Sequence, residues 1–253
     1  MSYNKKEVTM KQINLILALF IFFTTITFAQ TESNKFDANG QRDGAWKGVY
    51  EDTKYLRFEG TFNHGKEVGT FTYYANAEKK IVSATRKFDG KGNAYTIFFD
   101  EKGQKVSEGN LLNKLRQGVW KYYHRNATSI MSTENYVNDK LEGVRKVFFN
   151  DGKIAEEVPY KNGLKNGVSK IYTKAGTLNE EAIYVNGMLQ GSYKIYDDNG
   201  VIIIKGQYKK DKKNGIWKYY DSNKKLIKTI NADTINGYKK PSLAKKKQEV
   251  KSK

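Results

Sequence analysis

The stretch Gly118-Val119-Trp120-Lys121-Tyr122-Tyr123 returns almost unchanged as Gly215-Ile216-Trp217-Lys218-Tyr219-Tyr220. Between them, Gly167-Val168-Ser169-Lys170-Ile171-Tyr172 and Gly191-Ser192-Tyr193-Lys194-Ile195-Tyr196 keep the same form. The leading glycine recurs eight times, at Gly44, Gly69, Gly92, Gly118, Gly143, Gly167, Gly191 and Gly215, with spacings of 23 to 26 residues. A fixed period of this length is the signature of a tandem array in which each unit buries its apolar face against its neighbours.

A second segment completes each unit. Glu157-Val158-Pro159-Tyr160-Lys161-Asn162-Gly163 is matched by Glu181-Ala182-Ile183-Tyr184-Val185-Asn186-Gly187 and by Glu59-Gly60-Thr61-Phe62-Asn63-His64-Gly65. In these three the aromatic lies seven residues before the next repeat glycine, and Leu111, Tyr136 and Tyr208 hold the same offset. Phe88 departs from it, lying only four residues before Gly92, so that connection is about three residues shorter. Aromatic and β-branched runs bounded by Asn-Gly or Asp-Gly read as strand, turn, strand, turn. Pro159 is compatible with its strand only at an edge or a bulge. No segment past residue 29 has a helical period of useful length. The expected fold is therefore all-β, an elongated single-layer meander of tandem antiparallel hairpins, about eight units over residues 30–237. At about 4.8 Å per strand, its sheet is roughly 75 Å across.

Alternation assigns the faces. Positions two and four past the glycine, such as Trp120 and Tyr122, share one face. Positions one, three and five, such as Val119, Lys121 and Tyr123, share the other. Six of the eight copies carry lysine at position three, at Lys47, Lys121, Lys146, Lys170, Lys194 and Lys218. The candidate contact surface is Lys121, Lys146, Lys170, Lys194 and Lys218 with the interleaved Tyr123, Tyr172, Tyr196 and Tyr220. Tyrosine packs its ring while its hydroxyl reaches a partner. The competing reading is a solvated face that resists edge-to-edge aggregation. Glu59, Glu108, Glu157 and Glu181 are expected as cross-strand partners of those lysines.

These units resemble MORN repeats, specifically the bacterial variant with a Gly-x-Trp-Lys-x-Tyr-Tyr strand, an Asn-Gly turn and a Glu-x-x-Tyr-x-Asn-Gly strand. The likeness runs over residues 39–220, cleanest in the last five copies and weakest in the third. It implies an extended sheet of consecutive hairpins used for protein association and sometimes for lipid contact. Bacterial proteins with this variant are often grouped as YwqK-type antitoxin components. No residue here specifies a toxin partner.

The 253-residue chain has no Cys, two His and a formal net charge of +18. Disulfides and thiolate chemistry are thus excluded. His64 and His124 stand about sixty residues apart without a second ligand at metal spacing. The carboxylates recur evenly rather than converging, and no glycine-rich loop precedes a helix. The expectation is a non-enzymatic protein without cofactor or metal.

At the N-terminus, Lys5, Lys6 and Lys11 precede an apolar run over 15–23 and small residues at Thr27 and Ala29. This pattern predicts a secretory signal cut after Ala29, hence an exported protein, periplasmic, surface-bound or secreted. An uncleaved anchor is the competing reading, although the run is short of the roughly 20 residues a span needs. Removing three Lys and one Glu with residues 1–29 leaves +16, and the tail 238–253, with seven Lys and one Glu, supplies +6 of that. Such a tail is too polar to pack and is expected to be disordered. The leading expectation is an exported scaffold that binds another protein. The alternatives are adsorption to anionic lipid or polysaccharide, or antitoxin-like neutralisation of a toxin; nucleic acid is not expected as a partner.

Overall fold

The computed structural model describes residues 33–236. The expected signal segment 1–29 and the lysine-rich tail 238–253 lie outside the described residues. Strands follow one another in sequence and pair antiparallel with their neighbours: β1 (Lys35–Phe36), β2 (Arg42–Val49), β3 (Leu56–Asn63), β4 (Lys66–Tyr74), β5 (Val82–Phe88), β6 (Asn93–Phe99), β7 (Lys105–Leu112), β8 (Leu115–Tyr123) and β9 (Ile130–Val137). The meander continues through β10 (Lys140–Leu141), β11 (Gly143–Phe148), β12 (Ile154–Lys161), β13 (Leu164–Lys165), β14 (Gly167–Tyr172), β15 (Leu178–Val185), β16 (Met188–Tyr196), β17 (Ile202–Lys209), β18 (Lys212–Tyr220) and β19 (Leu226–Asn231). The result is one open antiparallel sheet, as the repeat predicts.

One short element departs from that expectation. α1 (Ala232–Asn236) follows β19 as a single helical turn. The Asn231 side chain accepts from the Asp233 N–H at 3.0 Å, a helix N-cap, and Ala232 is buried. A five-residue turn carries no periodicity to read.

The repeat glycine is needed for its backbone. All eight copies have positive φ, from 65° to 125°. A Cβ added at Gly44, Gly69, Gly118, Gly143 or Gly215 would meet nothing within 4 Å, so conformation and not space selects glycine there. At most junctions this kink inserts two extra residues. Asn110 pairs Gln117 and the next pair is Glu108 with Lys121, so three residues, Gly118 to Trp120, face Gly109 alone. Pro159 sits where β13 and β14 are interrupted, so its missing N–H breaks no continuous ladder.

The junction into the third unit differs. β5 and β6 pair without a shift from Ala84↔Phe98 to Phe88↔Ala94, so the bulge is missing as well as the loop residues. Elsewhere each inter-unit hairpin tip bonds to the unit before it: Asp139 N donates to Arg116 O at 3.1 Å, Gly163 N to Leu141 O at 2.8 Å and Gly187 N to Lys165 O at 2.8 Å. Each of these acceptors lies two residues before a repeat glycine, whereas Asn113 N donates to the carbonyl of Gly92 itself at 3.0 Å. Glu67 holds that place before Gly69, and the shortened tip at Gly90 makes no such bond to it.

The core is a set of aromatic clusters on one face. Trp46, Phe58, Phe62 and Phe71 form the first, with Tyr73 and Phe88 against them. Leu111, Trp120 and Tyr136 form the second. Tyr193, Tyr208 and Trp217 form a third, with ring centroids 5.2–5.7 Å apart. The aromatic row is not continuous. At its position two the third unit carries Ala94, the sixth carries Ser169, and the fifth carries Arg145, which bridges Glu134 and Glu156 at 2.9 and 3.3 Å.

A second class of glycine supports these rings. An added Cβ at Gly60 would lie 2.4 Å from the Phe71 ring, at Gly109 2.5 Å from Trp120 and at Gly206 2.3 Å from Trp217. Each of these glycines lies nine residues before the next repeat glycine, under the side chain two past it. The other units solve the same contact by size or charge. Ala182 faces Tyr193, buried Val158 lies across one junction from buried Ser169, and Glu134 pairs with Arg145.

Candidate interaction face

The face opposite the aromatic clusters is organised around one row of cross-strand neighbours. The registers run Lys47, Glu59, Thr72, Thr85, Ile97, Glu108, Lys121, Thr133 and Lys146. They go on through Glu157, Lys170, Glu181, Lys194, Lys205, Lys218 and Thr229. One residue from each of sixteen strands thus forms a single ladder crossing the sheet.

All five expected lysines stand on this ladder. Lys121 and Lys218 are exposed, whereas Lys146, Lys170 and Lys194 are half-buried. They are not a bare cationic row. Lys146 pairs Glu157 at 3.1 Å and Lys194 pairs Glu181 at 2.7 Å, and Lys170 sits in register between Glu157 and Glu181. The glutamates therefore act as the expected cross-strand partners. Opposite charges one strand apart each stabilise the pairing by about 0.2–1 kcal/mol.

The tyrosines flank the ladder on the same face. Tyr123 donates its hydroxyl to Glu108, Tyr172 donates to Glu157 at 3.1 Å, and Tyr74 repeats the contact with Glu59. Burial, then the Glu108 carboxylate, push the Tyr123 phenol up to about 12. Burial alone raises a carboxyl, but at Glu108 it is outweighed by the hydrogen bonds from Tyr123 and from Lys105, which lies at 2.9 Å. Glu108 is thus held below the ordinary range. Lys146, then Tyr172, hold Glu157 down in the same way, against burial. Tyr196 and Tyr220 are half-buried, and the Lys205 ammonium lies 5.3 Å from the Tyr220 ring centre.

The ladder changes character at its C-terminal end. Lys194, Lys205 and Lys218 are consecutive neighbours with no acid between them. At strand spacing three like charges sit about 4.8 Å apart, which weakens the sheet locally. Beside the ladder runs an exposed aliphatic row at position one, with Val119 at 56%, Val144 at 49%, Val168 at 43% and Ile216 at 49% of full exposure. Of these features sequence reading missed Lys205. It stands ten residues before Gly215, where other units carry Glu59, Glu108, Glu157 or Glu181, and this departure was its signal.

The two histidines belong to other contacts. His64 Nδ1 lies 2.7 Å from Asp37, whose hydrogen bond raises the imidazole above its ordinary range. His124 Nε2 lies 3.0 Å from the Phe148 carbonyl.

The family model of the MORN repeat variant matches residues 141–162, 189–210 and 213–233, each covering one strand–turn–strand unit from two residues before its repeat glycine. These units are MORN repeats. The same glycine kink and ladder run through the units on the N-terminal side of these matches. MORN repeats are associated with protein or membrane binding. Comparison with curated proteins gives no match. Among solved structures, a crystal structure of a mutant of S. aureus TarM in complex with fondaparinux, alpha-GlcNAc-glycerol and UDP aligns with 43% of this chain and 21% of that one, at 16% identity and a TM-score of 0.29. The chain thus spans about a fifth of that protein's length, and so slight an overlap carries no argument.

Proposed function

We propose that this MORN array is an exported, non-enzymatic scaffold that binds an acid-bearing protein surface across the C-terminal end of its ladder face. The supporting observation is the pair Lys205 and Lys218, which follow the Glu181-paired Lys194 with no acid in register on either side, in a ladder whose middle alternates Glu and Lys. Adjacent like charges oppose folding, whereas an anionic partner turns them to advantage. Ile216, exposed on the same face next to Lys218, supplies apolar contact beside the charges.

One substitution separates binding from architecture. Lys205→Glu restores alternation, so the isolated protein is expected to become more stable, by about 0.5–1 kcal/mol. Capture of the partner from extracts of the native organism is expected to fail with the same variant. Identical captured sets for wild type and variant count against the proposal. Sedimentation with anionic vesicles at low salt, lost at high salt and unaccompanied by any captured protein, supports the adsorption reading instead. Export is tested by intact mass: the mature protein is expected to begin at Gln30, and a protein that retains residues 1–29 contradicts it.

A further inference from the structure

The shortened junction into the third unit leaves a cleft of about 730 Å³ on the aromatic face, away from the ladder. Its floor is Phe88, Ala94 and Leu111, and its rim includes Lys66 and Lys114 from the longer hairpins on either side. The cleft has a direct origin in the sequence. A regular hairpin tip here would reach Glu67, and an aromatic at position two would cover the floor. This unit has neither, since Gly90 turns early and Ala94 replaces the ring that Phe71 and Trp120 supply in the units beside it.

The electrostatics of the cleft are one-sided. Lys66, Lys91, Lys114 and Arg86 line it against the single carboxylate of Glu67, and the three lysines hold no ion pair among the described residues. Arg86 projects from β5 between Phe71 and Thr96, its guanidinium 5.0 Å from the Tyr73 ring centre. Its Nε–H is buried and has no hydrogen-bond acceptor. A buried donor without an acceptor costs about 1–3 kcal/mol unless something occupies the site, and a guanidinium is suited to carboxylate or phosphate oxygens.

We propose that this cleft binds a small organic anion with an apolar body, its carboxylate or phosphate head on Arg86 and the rim lysines and its body against Phe88, Ala94 and Leu111. The size, the apolar floor and a few convergent polar groups are those of a small-molecule site. It lies on the opposite face from the proposed protein contact, so the two stand or fall separately.

The test is a titration of the mature protein with phenyl phosphate, inorganic phosphate and benzyl alcohol, followed by the NMR signals of the Arg86 Nε–H and the Gly90, Gly92 and Asn113 amides. Phenyl phosphate is expected to saturate these shifts, and the two half-ligands to bind at least about tenfold more weakly, because each satisfies only one part of the cleft. Ala94→Phe, which places in the cleft the ring found at Phe71, is expected to abolish the shifts without lowering the melting temperature. Lys114→Gln, at an exposed tip, is expected to weaken phenyl phosphate and leave benzyl alcohol unchanged. The proposal is overturned if phenyl phosphate does not saturate by about 10 mM, if benzyl alcohol binds as tightly, or if a folded Ala94→Phe protein still responds.

Discussion

Replacing Trp120 with alanine is expected to destabilise the protein by about 3–5 kcal/mol, the range for deleting a large buried aromatic. Trp120 is 2% exposed, packs among Leu111, Tyr136, Phe98 and Tyr122, and donates its indole N–H to the Asn110 carbonyl at 3.0 Å. Its ring lies over Gly109, so truncation uncovers backbone as well as emptying a cavity. In an array held by nearest neighbours, this weakens both flanking interfaces at once. Trp120→Phe should cost less, about 1.5 kcal/mol, because Phe71 fills the same place two units earlier. Urea unfolding of both variants against wild type is the measurement. A loss below about 1 kcal/mol for Trp120→Ala contradicts the assigned packing.

The second expected result concerns the residue beneath that ring. Gly109→Val places a side chain where even a Cβ would stand 2.5 Å from the indole, and overpacking of this kind costs about 3 kcal/mol. The same molecule contains the compensating arrangement, since Val158 is buried nine residues before Gly167, as Gly109 stands before Gly118, with Ser169 in place of the ring. The double variant Gly109→Val with Trp120→Ser is therefore expected to be more stable than the sum of the two single losses by about 1–3 kcal/mol. Additive losses in the cycle show that the two positions do not share a site.

The two results rest on features of unequal legibility. The repeat glycine, the strand–turn pattern and the assignment of faces follow from period and alternation alone, because those are backbone properties repeated eight times. The glycine under the ring is harder to see, since its role passes to Ala182, Val158 or Glu134 as the side chain above it changes. It becomes visible only when positions nine before and two after the repeat glycine are compared as pairs. The aromatic row at position two is interrupted by Ala94, Arg145 and Ser169. A short loop before Gly92 is evident from spacing. The cleft is not, because it needs the lengths of the hairpins on both sides and the orientation of Arg86.

On the ladder face the lysines and their glutamate partners were both legible from regular offsets. The excess at Lys205 was not, because a row of six lysines draws attention away from the second strand of each unit. That one residue changes the meaning of the face. Charge balance through Lys146, Lys170 and Lys194 makes the middle of the ladder a structural device, and the free cationic end is what remains for a partner.

The most direct test of that division is site-specific photocrosslinking from one residue on each face at the C-terminal end of the array. A photoreactive side chain at Ile216 stands next to Lys218 on the ladder face, and one at Lys228 stands opposite Tyr219 on the aromatic face. Crosslinks to a partner from Ile216 and none from Lys228 are the predicted outcome. Crosslinks from Lys228 alone, or equally from both, contradict binding through the ladder.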